Sequence, residues 1–154
     1  MPNWTFLTLH FFHTMALVIW VGGMVAIGVI VAPVAFREAP DRSVAGRIVG
    51  LSLQRFDVLV VVCIVSLVVT SALMASWYGR WSPWYGVQYA CIALMSLSAL
   101  LSMTFVAPKM RSMRRNLTPG ATPAHGAEFD RLHRLAMLSM QFNLACGTIA
   151  ILFS

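Results

Sequence analysis

Four long apolar stretches dominate the chain, at residues 6–36, 56–76, 87–107 and 135–153, with short polar links between them. A membrane-spanning helix needs about 20 mainly apolar residues. Each stretch is long enough, so the pattern predicts an all-α integral membrane four-helix bundle, with residues 1–154 forming one transmembrane domain. The first stretch has no basic region before it and runs past signal-peptide length, so it is expected to stay in the mature protein.

Within the stretches the few polar residues recur at three-four spacing, and in lipid such residues turn into the bundle. The first stretch carries His10, His13, Leu17, Trp20, Met24 and Ile27 on one stripe, with Gly22, Gly23, Ala26 and Gly28 beside it as small residues suited to close helix packing. The second offers Cys63, Ser66, Thr70 and Met74. The third offers Gln88, Cys91, Met95, Ser98 and Ser102, and the fourth Ser139, Met140, Asn143 and Gly147. These stripes are the expected interior.

Composition strengthens this reading, because 59% hydrophobic and 10% charged residues, with a mean hydropathy of +0.79, leave too little polar surface to coat a water-soluble domain. Ten of the 11 Lys and Arg residues fall in two clusters, after the first and the third stretch. Cytoplasmic loops of membrane proteins hold the cations, so both links are predicted to face the cytoplasm and both termini to face outward. The net charge of +6 and pI near 10.1 therefore point to anionic lipid headgroups, not nucleic acid. Lys109, Arg111, Arg114 and Arg115 form the strip expected to meet them. Trp77, Tyr78, Trp81, Trp84 and Tyr85 form an aromatic belt at the opposite interface, with Trp4 at the same level. Asp41 after Pro40 is placed to cap a helix. Residues 108–128, with Asn116, Pro119, Gly120 and Pro123, read as a long loop.

The chain also carries a short internal echo. Val31-Ala32-Pro33 and Val106-Ala107-Pro108 each close a stretch before a basic link, and Arg55-Phe56-Asp57 and Phe129-Asp130-Arg131 each follow one. This predicts a duplicated helical hairpin about an axis along the membrane normal. His13 and Gln88 each lie twenty residues before their proline, so they are expected at one depth. Counting back along the second helix at about 1.5 Å per residue brings Met74 to a similar level.

Two His at i and i+3 share a helix face, and neutral imidazole ligates copper, zinc and haem iron. His13 and His10, with Met74 and Gln88 around them and Cys91 near by, are thus the candidate cofactor or metal site in the outer leaflet. Asn143, Ser66, Ser98 and Trp20 are the expected interior positions, and His133 sits at the cytoplasmic mouth of the fourth helix. Cys63, Cys91 and Cys146 show no paired spacing and are expected at different depths as apolar filler. Deep carboxylates, a Gly-rich phosphate loop and a Ser/His/Asp set are all missing from the sequence, which leaves proton-driven pumping, phosphoryl transfer and hydrolysis without support.

The stretch His13-x6-Trp20-x2-Gly23, then Ala32-Pro33-Val34-Ala35-Phe36-Arg37, and later Phe129-x3-His133 with Asn143 resemble bacterial four-helix membrane proteins of unsettled activity. Those are related to a eukaryotic tetraspan protein linked to drug resistance. The first helix is also similar to the copper-resistance protein D membrane domain and to HemJ-type protoporphyrinogen oxidases, whose first-helix histidine is associated with haem b. That resemblance implies a bacterial inner-membrane protein and a haem b or copper role for His13. It departs from the HemJ pattern in its lysine, because Lys109 stands after Pro108 and not within a later helix, so porphyrinogen oxidation is not expected. Three functions follow as expectations. One is a redox or metal-handling protein with a His-based haem or copper site. Another is a cofactor-free module that binds or moves a small solute. The last is an accessory or scaffold subunit of a homo-oligomer or larger membrane complex.

Overall fold

The computed structural model describes residues 3–78, 83–115 and 126–153. Four helices account for nearly all of them, and no strand occurs among the described residues. α1 covers residues 3–38, α2 Arg42–Tyr78, α3 residues 83–115 and α4 Gly126–Leu152. All four are long and apolar enough to cross a membrane. The large apolar side chains left uncovered, such as Leu7, Val29, Val62 and Phe105, face outward as a lipid-solvated bundle requires. Up-down-up-down order puts both termini at one end, here called the terminal end, and the cation-rich links at the other, the basic end.

Local chemistry explains the boundaries. α1 stops at Glu38 because Ala39 precedes Pro40, and a residue before proline is pushed to extended backbone; Ala39 adopts φ −72°, ψ 143°. Asp41 then caps α2, its Oδ1 accepting from the Ser43 and Val44 backbone N–H at 2.7 and 2.9 Å and from the Ser43 hydroxyl at 2.5 Å. The polar positions between Arg42 and Arg55 interrupt the apolar run but not the helix, so α2 extends 37 residues. At about 1.5 Å per residue it outruns the roughly 30 Å hydrocarbon layer. α3 likewise continues through Arg115, so the expected loop at 108–128 is shorter than its turn residues suggested; the rest of it, at 116–125, lies outside the described residues.

Pro33 and Pro108 lie inside helices, and both are accommodated the same way. A proline ring lacks an N–H and crowds the carbonyl four residues back. In each case the preceding turn is π-helical, at Ala26–Val31 and Ser102–Val106. Ala32 N–H donates to the Ile27 carbonyl and Ala107 N–H to the Ser102 carbonyl. The widened turn gives each ring room.

The duplication is sharpest between α1 and α3. From His13 to Met24 the buried positions on α1 are His13, Ala16, Leu17, Trp20 and Met24, and from Gln88 to Ala99 those on α3 are Gln88, Cys91, Ile92, Met95 and Ala99, whereas Ile27 and Ala35 further along α1 have no buried counterpart on α3. The two sets have identical spacing. Contacts are most extensive within the α1/α2 and α3/α4 hairpins; the hairpins meet along α1 and α4, with a thinner seam between α2 and α3. Gly23 makes room for the Phe56 ring between α1 and α2, and Gly147 for Val21 and Met95. Gly28 meets the Met140 methyl. A Cβ on Gly22 would meet nothing within 4 Å and the residue is exposed, so it faces lipid and is not the packing residue its place beside the stripe suggested.

Candidate functional site

The most structured polar feature is a chain of hydrogen bonds centred on His13, which is 1% exposed. α1 brings His13 to the interior, α2 brings Thr70 and α3 brings Gln88. His13 Nδ1 lies 2.9 Å from Thr70 Oγ1, and Gln88 Nε2 lies 3.1 Å from His13 Nε2. Thr70 Oγ1 also lies 2.7 Å from the Ser66 carbonyl and 3.2 Å from that of Leu67. Those carbonyls can only accept, so the Thr70 hydroxyl proton is committed to them and its oxygen accepts from His13 Nδ1–H. Nε2 then carries the lone pair and accepts from the Gln88 amide. This chain assigns a neutral, Nδ1-protonated imidazole with every polar atom of the ring satisfied.

The depth expected for His13 and Gln88 is borne out by their direct bond. On α2, however, the partner is Thr70, one turn deeper than Met74, which is half-buried. His10, also half-buried, stacks on Phe6 with ring centroids 5.9 Å apart and planes at 7°. Among the described residues no three His, Cys, Asp or Glu side chains come together to hold a metal. Trp20 is buried in the core two turns beyond His13 on α1, and Ser66 contributes its carbonyl, not its hydroxyl, to the chain.

Asn143 belongs elsewhere. Its neighbours on α4 are fixed by Met140 against Gly28 and Gly147 against Val21, so Asn143 faces the 21–28 stretch of α1. That is at least eight residues deeper than His13, about 12 Å along the helix. Asn143 is buried, yet its Oδ1 has no hydrogen-bond partner among the described residues. Near it, Ser98 and Ser139 share a hydrogen bond of 2.9 Å across α3 and α4.

One expectation is overturned by this ladder. Cys91 and Cys146 do not lie at different depths; they are buried free thiols at one level of α3 and α4. Because α4 runs antiparallel to α3, residue 146 returns to the level of residue 91, seven residues along from the Ser98–Ser139 rung on both helices. Separate positions in the sequence had concealed this common level. Cys63 stays buried on α2 as a free thiol.

At the basic end the expected headgroup strip is partly occupied by carboxylates. Lys109 pairs with Glu128 at 2.6 Å, and Arg111 reaches Asp57 at 3.5 Å. Exposed pairs of this kind contribute about 0–1 kcal/mol. The side chains of Arg114 and Arg115 lie outside the described residues, and His133 is exposed. At the terminal end Trp84 stacks on Phe153 with centroids 5.2 Å apart; Trp4 is exposed, and Trp81 lies outside the described residues.

Residues 15–118 match the family model described as "Domain of unknown function (DUF4149)". The match spans α1 from two residues after His13 through α3, so Thr70, Gln88 and Cys91 fall inside it while His13 and all of α4 fall outside. No curated protein and no solved structure matches the chain. The similarities to the copper-resistance protein and to HemJ-type enzymes thus rest on the first-helix residues alone.

Proposed function

The chain belongs to the DUF4149 family, a domain of unknown function, so its activity has to be read from its own residues, and we propose that it is a multi-pass membrane protein that binds haem iron or copper through His13 Nε2. The observation that supports this is the anchoring of the imidazole. Metal-ligating histidines almost always donate their second ring N–H to a carbonyl, carboxylate or other acceptor, which fixes the tautomer and raises the basicity of the ligating nitrogen. His13 Nδ1–H donates to Thr70, which is itself tied to the Ser66 carbonyl. Nε2 is thereby left as the basic atom, pointing across the bundle to α3. Bound there, haem or copper would supply one-electron chemistry.

Gln88 holds Nε2 in the structure, so a metal reaches this nitrogen only as the Gln88 amide turns away. His10 and Met74, one turn nearer the terminal end on α1 and α2, are the next donors along the helices. We place the basic links in the cytoplasm and both termini outside, in a bacterial inner membrane, because the cation clusters sit at one end of the bundle. The site then lies in the outer leaflet.

The satisfied Nε2 favours a second reading, in which the node is a polar clamp fixing α1, α2 and α3 in a cofactor-free binding or accessory module. An absorption spectrum with metal analysis of protein purified from native membranes separates the two. The cofactor reading expects a Soret band or stoichiometric copper that is lost in His13→Ala and strengthened in Gln88→Ala, where the competitor for Nε2 is gone. Colourless, metal-free protein that stays so after haem or copper is added would overturn it and leave the clamp.

A further inference from the structure

One cation of α2 stands at a level where the neighbouring helices are apolar. Phe56 packs on Gly23 and Met140 on Gly28, and these two contacts tie α2 and α4 to α1 in register. By that register Arg55 lies beside the Gly23 turn of α1, whereas Arg134, the first cation met along α4 from the terminal end, lies level with Val34. Arg55 is therefore about 15 Å nearer the terminal end than Arg134. Around its level α1 exposes Val25 by 40% and Val29 by 68%. Arg55 also belongs to the lipid-facing stripe of α2. Val69, Val65, Val62 and Val58 are exposed at three-four spacing, and Arg55, Leu51 and Arg47, all exposed, continue that stripe toward the basic end. Among the described residues no carboxylate forms an ion pair with Arg55 or Arg47. Arg47 acts on Asp41 only through its field, and Asp57, turned toward α3, is engaged by Arg111.

We propose that this stripe is a docking site for an anionic phospholipid, with the Arg55 guanidinium on its phosphate, Arg47 adding positive potential further out, and its acyl chains along Val58 and Val62. A cation that faces lipid without a partner is costly, and the guanidinium fork matches phosphate oxygens. The valines that face hydrocarbon lead straight into Arg55, so the molecule that covers them is the one whose polar end meets the cation. That continuity selects a lipid over a protein partner. To bring a headgroup to Arg55, the bundle leans or the bilayer thins on the α2 side. The headgroup contact thus moves away from Lys109 and Arg111, whose charges are met by Glu128 and Asp57. The site depends neither on the His13 reading nor on which side of the membrane the basic end faces.

The test incubates the detergent-purified full chain with equimolar phosphatidylglycerol and phosphatidylcholine of matched acyl chains, and reads the lipid kept by each chain by native mass spectrometry. The unmutated protein should prefer phosphatidylglycerol roughly 10-fold, Arg55→Gln should cut that preference about 5-fold and Arg47→Gln about 2-fold, since each removes a cation near the headgroup. Arg55→Lys should keep most of the preference, and Lys109→Gln should leave it unchanged. Unfolding of Arg55→Gln in detergent without lipid should match the unmutated protein, which separates lost binding from lost folding. Excess inorganic phosphate should not displace the lipid, because it lacks the chains that lie along the valines. Equal retention of the two lipids by the unmutated protein would overturn the proposal, as would full preference in Arg55→Gln or displacement by inorganic phosphate. Loss of preference in Lys109→Gln alone would return the contact to α3 and overturn it equally.

Discussion

The two hairpins of this bundle bury polar groups by different rules. In α1/α2, His13 meets Thr70, and the pair is completed by Gln88 from across the bundle. In α3/α4 the inward groups form rungs, a Ser98–Ser139 hydrogen bond and, seven residues along both helices, the buried Cys91 and Cys146 at one level, the spacing of left-handed helix packing. Between those rungs Asn143 keeps an oxygen without a partner, alone among the four buried polar residues His13, Thr70, Gln88 and Asn143. An unpaired polar atom in a medium without water costs free energy. Among the described residues Ser71 Oγ on α2 and Ser96 Oγ on α3 are likewise buried without a partner, one in each hairpin, so the contrast lies in the most buried groups: the His13 network is saturated, and the Asn143 amide is unfinished.

The largest effect should come from exchanging those states. His13→Ala removes the centre of the network, orphans the Gln88 amide and opens a cavity in the buried interior. We expect a loss on the order of 3 kcal/mol in unfolding from detergent micelles. Asn143→Leu keeps the number and branching of the side-chain heavy atoms and removes an orphaned acceptor, so it should be neutral or stabilise by about 1 kcal/mol. Equal losses for the two would erase the distinction between the hairpins. A large loss for Asn143→Leu alone would reverse it.

A smaller effect separates two adjacent glycines on α1. A methyl group on Gly23 collides with the Phe56 ring, whereas one on Gly22 meets nothing within 4 Å. Gly23→Ala should cost about 1–3 kcal/mol through overpacking. Gly22→Ala should stabilise by up to about 1 kcal/mol, through the higher helix propensity of alanine. Phe56→Leu combined with Gly23→Ala should recover part of the loss. If Gly22→Ala proves the harmful change, the α1/α2 interface uses the neighbouring face and the packing described for this hairpin is wrong.

These contrasts also mark what could be read from the chain before its structure was known. The number of helices, the inward stripe of α1 and the common depth of His13 and Gln88 were legible, because apolar runs and the Pro33/Pro108 ruler encode them directly. Thr70 in place of Met74 was missed by one turn, since counting from helix ends ignores where α2 crosses α1. The common level of Cys91 and Cys146 was hidden because the register between antiparallel helices depends on a link whose length and shape the composition does not reveal. A helix starting after Asp41 was legible from its cap, but its unbroken run into the membrane segment was not, because exposed polar residues end an apolar run without ending a helix. The π-helical turns had a signal, a proline inside a helix, but proline alone does not say whether the helix breaks, kinks or widens.

The smallest expected effect lies at the basic end, where only the first hairpin has a short, fully described link. The Ser43 hydroxyl, then the Val44 N–H, hold the Asp41 carboxyl below the ordinary aspartate range, with Arg47 adding to the same effect. A carboxyl whose pKa is lowered by folding stabilises the folded form above its unfolded pKa and loses that contribution as pH falls through its folded pKa. Amide exchange at Ser43 and Val44 should therefore be slow at neutral pH and quicken only below the usual carboxylate range. In Asp41→Ala both amides should exchange fast at every pH, and in Asp41→Asn they should keep moderate protection without pH dependence. The group is solvent-exposed, so the global unfolding midpoint should hardly move. If Asp41→Ala kept the acid-dependent step, another carboxylate would be controlling the start of α2, and the cap would not be what sets the length of that helix.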